Sequence, residues 1–290
     1  MASLHRRRAA VCLVLMSATA LAGCGTAVPE PAGSTPAAAV SVALNQSRDQ
    51  YGTQAILLEL TNSTTEELSV TGARVESPLF QGSISWTSAN TPLALPPGQP
   101  KALPAVLPGP ACGDVDTATP VATVHYSVNG QDREVAADAH DPFGILARTS
   151  GELCLAAEAA GVAALSLDPG LEPAADGRTA VVRLLVTPTG LEGSQKSLTI
   201  ESIDGTTLLA EAVEGAWPRN VTIEAGGDAT ELRLPMRAAR CDPHAVAEDK
   251  VGTLLPVRIA VGERRGILKV AAPTGLRGSL YDFVAKACSG

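Results

Sequence analysis

Val121-Ala122-Thr123-Val124-His125-Tyr126-Ser127-Val128-Asn129-Gly130-Gln131-Asp132-Arg133-Glu134-Val135 is the stretch from which the fold class is read. Over its first eight residues apolar side chains alternate with Thr, His and Ser, the period of a half-buried strand. Asn129-Gly130 follows, a pair that tolerates positive φ and closes two-residue hairpins, and Arg133-Glu134-Val135 starts the return. The same pattern recurs in both directions along the chain. Ala55-Ile56-Leu57-Leu58-Glu59-Leu60, Leu68-Ser69-Val70 and Leu255-Pro256-Val257-Arg258-Ile259-Ala260-Val261 are short apolar runs separated by Gly, Pro, Asn, Asp and Thr. Gly262 and Gly266 bracket a second return, from Val261 to Ile267-Leu268-Lys269-Val270. Long helical periodicity is scarce, so the chain reads as all-β.

Sliding the chain along itself reveals an internal repeat. Val40, Val42, Gly52 and Ile56 fall on Leu165, Leu167, Gly177 and Val181 at a shift of 125. Leu68 and Val70 meet Leu198 and Ile200 at 130, and Trp86 meets Trp217 at 131. Gly98, Leu103 and Cys112 match Gly227, Leu232 and Cys241 at 129; Gly144, Leu146 and Cys154 match Gly278, Leu280 and Cys288 at 134. A slowly drifting shift is what loops of changed length leave between equivalent strands. Two homologous domains are expected, residues 40–155 and 160–290, joined at Ala156 to Gly161.

Each unit offers about seven strand candidates in roughly 115 residues, so each resembles an immunoglobulin-like β-sandwich in size and strand density. The resemblance is architectural, because each Trp precedes both cysteines of its unit instead of lying between them. A closed barrel is the competing architecture. Leu280, Phe283, Val284 and Ala287 recur at helical spacing, whereas Gly144 to Cys154 reads as either helix or irregular edge.

Residues 1–23 carry a different signal: His5 and Arg6 to Arg8, an apolar run from Ala9 to Leu21, then Leu21-Ala22-Gly23-Cys24. The run is too short for a permanent span, which needs roughly 20 residues. It reads as a signal peptide. The last four residues resemble the lipobox of bacterial lipoprotein precursors. That resemblance implies acylation of Cys24, cleavage before it, and anchoring at the outer face of the cytoplasmic membrane. Residues 24–39, rich in Gly, Ala, Pro, Ser and Thr, read as a flexible tether that reaches up to roughly 45 Å.

Six cysteines are present, of which Cys12 leaves with the signal and Cys24 takes the lipid. The four others admit three pairings, and the repeat selects Cys112 with Cys154 and Cys241 with Cys288. An exported compartment oxidises such pairs.

Without residues 1–23 the chain keeps 19 basic and 30 acidic side chains, a net charge of −11. Such a body repels phosphates, so nucleic acid is an unsuitable partner. Only eight aromatic residues occur, too few for sugar-stacking platforms. No G-x-S-x-G, S-x-x-K or H-E-x-x-H is found. Asn45, Asn62 and Asn220 stand in N-x-S/T triplets that have no expected role in a bacterial lipoprotein. His125 reads as a strand side chain and His140 as a loop residue.

Two clusters are candidates for chemistry. In the first, a turn started by Pro243 would place His244 and Glu248 on one face, with Asp242 and Asp249 nearby, as a carboxylate and imidazole set for a divalent ion or for hydrolysis. A solvated loop is the plainer reading of the same residues. In the second, Arg237, Arg240, Arg264 and Arg265 would form a basic edge for an acidic partner, or simply guard a strand edge.

The resulting expectation is a non-enzymatic envelope lipoprotein without a cofactor, held to the membrane by lipid and presenting a surface to an envelope protein. The alternatives are an envelope hydrolase or metal-binding protein using residues 242–249, and a solute-binding lipoprotein of a transporter.

Overall fold

Strict alternation of inward and outward side chains organises both halves of the molecule, as the computed structural model shows. It describes residues 38–51, 53–113, 118–190 and 196–289. The signal segment 1–23, Cys24, nearly all of the tether and Gly52 lie outside the described residues.

The first half comprises β1 (Val40–Asn45), β2 (Ala55–Asn62), β3 (Leu68–Glu76), β4 (Ile84–Thr87), β5 (Leu93–Leu95), β6 (Lys101–Val106), β7 (Val121–Val128), β8 (Gln131–His140) and α1 (Ile145–Ala160). In β2, Ile56, Leu58 and Leu60 are fully buried while the residues between them are half-buried. Asn129 and Gly130 both adopt positive φ and make the two-residue turn of the β7–β8 hairpin. The strands form one sheet in the order β4-β6-β2-β1-β8-β7-β3-β5, and β4 pairs with β3 as well as β6, which closes seven of them into a barrel. This half therefore departs from the two separate sheets expected of a sandwich. Two thin seams achieve the closure. Ser85 of β4 meets Val106 of β6, and β8 joins β1 in parallel only through Ala139 and His140. Asp132, Arg133 and Glu134, all exposed on β8 ahead of that seam, guard the remaining strand edge.

The second half comprises β9 (Ala163–Leu167), β10 (Glu172–Pro173), β11 (Thr179–Pro188), β12 (Ser197–Ile203), β13 (Leu209–Glu211), β14 (Val221–Glu224), β15 (Thr230–Ala238), α2 (Pro243–Ala247), β16 (Leu254–Val261), β17 (Arg264–Ala271) and α3 (Thr274–Ala287). Here two sheets stay separate. One runs β10-β11-β15-β13 with β9 also on β11, and the other runs β14-β12-β16-β17.

Several pairing features recur at a common spacing. The β3–β7 ladder slips between Val70 and Gly72, and the β12–β16 ladder slips between Ile200 and Ser202, the same bulge 130 residues on. The β7–β8 hairpin turns between Val128 and Gln131 as the β16–β17 hairpin does between Val261 and Arg264, 133 residues on. Buried Leu146, Thr149 and Ser150 of α1 correspond to buried Leu280, Phe283 and Val284 of α3 at a shift of 134. One expected match fails. Ile56 is fully buried but Val181 is not, because a slip of one residue turns a strand's faces over. The inward residues of β11 are Ala180, Val182, Leu184 and Val186.

Both disulfides join the pairs read from the repeat, Cys112 to Cys154 and Cys241 to Cys288. Two buried clusters result, one from Val40 to Leu146 and one from Leu155 to Val284. The helix α1 serves both: Ile145 and Leu146 close the first, Leu155 and Ala159 enter the second. The ambiguous segment 144–154 is thus helical, and α1 runs on through the expected junction to Ala160. Among the described residues no helix is long and apolar enough to cross a membrane.

Candidate functional site at Tyr51

The loop between β1 and β2 is held by a short 3₁₀ turn, Arg48–Gln50. The Gln50 side-chain oxygen accepts from the Ser47 backbone N–H at 3.0 Å, and Gln50 is itself buried. This clamp presents Tyr51 to the other half of the molecule. Lys269 of β17 places its ammonium 5.3 Å from the Tyr51 ring centre, and Arg148 of α1 places its guanidinium 5.8 Å away, both within cation–π range.

Tyr51 lines two cavities, as do Ile267 and Lys269. The larger, about 550 Å³, is walled mainly by Val251, Leu254, Pro256 and Ile267, with Asp204, Arg240 and Lys269 among its polar members. The smaller, about 280 Å³, lies between α1 and β17 and is lined by Gln46, Thr149, Glu152 and Leu153 as well as Tyr51 and Lys269. Most of the carboxylates here are engaged: Asp204 pairs with Arg258 at 2.7 Å and Glu152 with Lys269 at 2.8 Å. By contrast Arg148 donates at 2.6 Å to the uncharged Gln46 side chain, and the Arg240 guanidinium has no hydrogen-bond or ion-pair partner among the described residues. The Thr149 hydroxyl oxygen is buried without a hydrogen-bond partner among the described residues.

A hub at Asp249 fixes the loops around the larger cavity. Its carboxylate accepts from the Gly252 backbone N–H at 2.8 and 2.9 Å, from the Tyr281 hydroxyl at 3.0 Å, and from the Thr207 hydroxyl. Gly252 is needed, since a Cβ there would lie 2.7 Å from the same carboxylate and 2.4 Å from Leu208. Burial, and then the hydrogen bond to Asp249, push the Tyr281 phenol above its ordinary value. Thr206 caps the adjoining turn by donating to the Gly252 carbonyl at 2.7 Å and accepting from the Leu209 N–H at 3.0 Å.

The residues singled out from the sequence are placed differently. Asp242 caps α2, accepting from the His244 N–H at 3.0 Å. His244 and Glu248 do share a face, 3.4 Å apart, but 80% and 70% of their side-chain surface is in solvent. Asp249 serves the loop hub instead. Among the described residues no group of three His, Cys, Asp or Glu side chains is arranged to hold a metal ion. The arginines disperse rather than forming one edge. Arg264 pairs with Glu158 and Arg265 with Glu201, Arg237 donates to the carbonyl of Ala238, and Arg240 lines the cavity. His125 sits 3.3 Å from Glu134 on the outer face of the barrel, and His140 ends β8 instead of lying in a loop. Tyr51, Arg148, Thr149 and Lys269 went unnoticed in the sequence. The one signal was the rarity of Tyr, present three times in the chain.

No family model matches this chain, and no curated protein matches it. Among solved structures it is similar to a protein of unknown function from Porphyromonas gingivalis W83, with 17% identity, 80% of this chain and 98% of that one covered, and a TM-score of 0.22. It is also similar to the Pseudomonas aeruginosa CupB2 chaperone, with 10% identity, 80% and 97% covered and a TM-score of 0.22. The calcium binding domain CBD12 of CALX1.1 gives 9% identity, 86% and 94% covered, and a TM-score of 0.20. Likenesses at these TM-scores carry no argument about fold or activity.

Proposed function

We propose that the chain is a lipid-anchored, extracytoplasmic binding module built from two diverged copies of an immunoglobulin-like unit, and that it recognises its ligand in the cleft at Tyr51 without catalysing a reaction. The observation that carries this reading is the cavity of about 550 Å³ at the meeting of the halves, within the size range of small-molecule sites. The disulfides suit an oxidising compartment. The lipobox at Leu21 to Cys24 supplies the anchor, and the partner is an envelope component at the membrane surface.

Photo-crosslinking in cells tests the reading. With p-benzoylphenylalanine in place of Tyr51 we expect an adduct. The same group in place of Val213, which is 91% exposed and lines neither cavity, is expected to give none. Equal yields from both positions would contradict the cleft as the binding site. A second reading, a solute-binding lipoprotein of a transporter, uses the same cleft and adds a permease, which co-purification with membrane proteins would reveal.

A further inference from the structure

We propose that the ligand of this cleft is a single-chain amphiphile with an anionic headgroup, its chain in the larger cavity and its head in the smaller one. The inference rests on reading the cleft as a binding site and adds the chemistry of the ligand. Three observations point the same way.

The larger cavity is walled by aliphatic side chains and the Tyr51 ring, surface that favours an apolar chain over water. The smaller cavity is lined by Gln46, Thr53, Gln54 and Thr149, with Glu152 and Lys269 as its charged members. Lys269 lies between the Glu152 carboxylate and the Tyr51 ring, while Arg148 is bonded only to neutral Gln46 and to the ring face. With Lys269 matched by Glu152, the excess positive charge beside the cleft is that of Arg148 and of Arg240 at the larger cavity, neither of which has a carboxylate partner among the described residues. The carboxylates nearby, Asp204, Glu152 and Asp249, are already bound by Arg258, Lys269 and the Gly252 loop respectively. An anionic head is thus favoured there and a cationic one opposed.

The third observation is Thr149. It is 5% exposed, lines the smaller cavity, and its hydroxyl has no partner among the described residues. A buried donor without an acceptor is costly, so such groups normally have one. An anionic oxygen seated against Lys269 would accept from the Thr149 hydroxyl and satisfy it. The head is therefore one that carries at least two oxygen acceptors, such as a carboxylate or a phosphate monoester.

The probe is dodecyl phosphate, titrated calorimetrically below its micellar concentration into the exported chain carrying Cys24→Ser, which removes the acyl anchor. One dodecyl phosphate is expected per chain, bound at least tenfold more tightly than dodecyl maltoside; dodecyltrimethylammonium and inorganic phosphate are expected to give no measurable heat. Leu254→Trp, which fills the larger cavity, should abolish binding, and Lys269→Met should weaken it about tenfold. Thr149→Val separates ligand binding from folding. It should raise the thermal midpoint of the ligand-free chain, because an unpartnered hydroxyl is removed, yet weaken dodecyl phosphate several-fold. Equal affinity for dodecyl phosphate and dodecyl maltoside would overturn the anionic head, and inorganic phosphate binding as tightly as dodecyl phosphate would overturn the chain. Either result, or no binding of any probe, leaves the cleft intact if position 51 still crosslinks in cells. Failure of that crosslink removes the cleft itself.

Discussion

The two halves share a bulge, a hairpin and a terminal helix at matching positions, yet the first closes into a barrel and the second stays open. The difference lies at both seams: β4 meets β6 in the first half, whereas β14 and β15 lie in separate sheets in the second. In the first half β8 reaches β1 through Ala139 and His140; in the second, β17 and β9 pair only within separate sheets. The helix α1 packs on both β9 and β17, and Leu155 comes so near Gly266 of β17 that a Cβ there would lie 2.8 Å from it. The two sheets of the second half are thus bridged between β9 and β17 by a helix that belongs, in sequence, to the first. The first half thus closes on itself while the second borrows its closure from its neighbour, and borrowing leaves between the halves the cleft that Tyr51 enters.

The disulfides are the largest lever on this comparison. They span 42 and 47 residues, so removing either by paired Cys→Ala changes should cost a similar amount, up to about 4 kcal/mol in the chain-entropy description. Urea titration of the two variants checks this. A difference above about 2 kcal/mol would mean that the bonds are not equivalent in the two halves.

Leu155→Ala comes next. A buried Leu→Ala change costs about 2–5 kcal/mol, and here the damage should appear in the second half, although Leu155 stands on the first half's helix. Hydrogen exchange should quicken in β9, β16 and β17. Faster exchange confined to β1 to β8 would break the borrowed-closure account.

A pH effect separates the halves in another way. Tyr281 has its phenol held above the ordinary value near 10, so the folded state favours the neutral form. The stability this contributes is complete below pH 10 and is lost as pH rises through the raised folded value. The matching position in α1 is Ala147, so α1 carries no phenol at this place. Tyr281→Phe should flatten thermal stability above pH 10, and an unchanged alkaline profile would count against the Asp249 contact.

The smallest effect concerns helix glycines. A Cβ at Gly151 in α1 or at Gly278 in α3 would meet nothing within 4 Å. Either Gly→Ala change should raise stability by roughly 0.5–1 kcal/mol in a denaturant titration.

Much of this fold was readable from the residues. Alternation located the long strands, Asn129-Gly130 located a hairpin, and four cysteines in two matched positions fixed their partners. The closing seams were not readable, because each consists of one or two residue pairs, Ser85 with Val106 and Val42 with Ala139 among them. The helix α1 hid for another reason. Its inward face includes Thr149 and Ser150, so the apolar period that marks α3 is interrupted. The cleft was equally hidden, since Tyr51, Thr149 and Lys269 lie far apart in sequence and meet only when the halves do. Charged residues close in sequence drew attention to 242–249, where the fold spends Asp242 on a helix cap and Asp249 on a loop hub.

The two tryptophans make the decisive measurement available, since Trp86 lies in the first half and Trp217 in the core of the second. Uniform labelling with 5-fluorotryptophan gives one fluorine resonance for each half, and both can be followed through a urea titration. If α1 seals both cores, the two native resonances disappear with the same midpoint and the same slope. Two transitions with separate midpoints would show that each half holds together alone, and would contradict a helix shared between them.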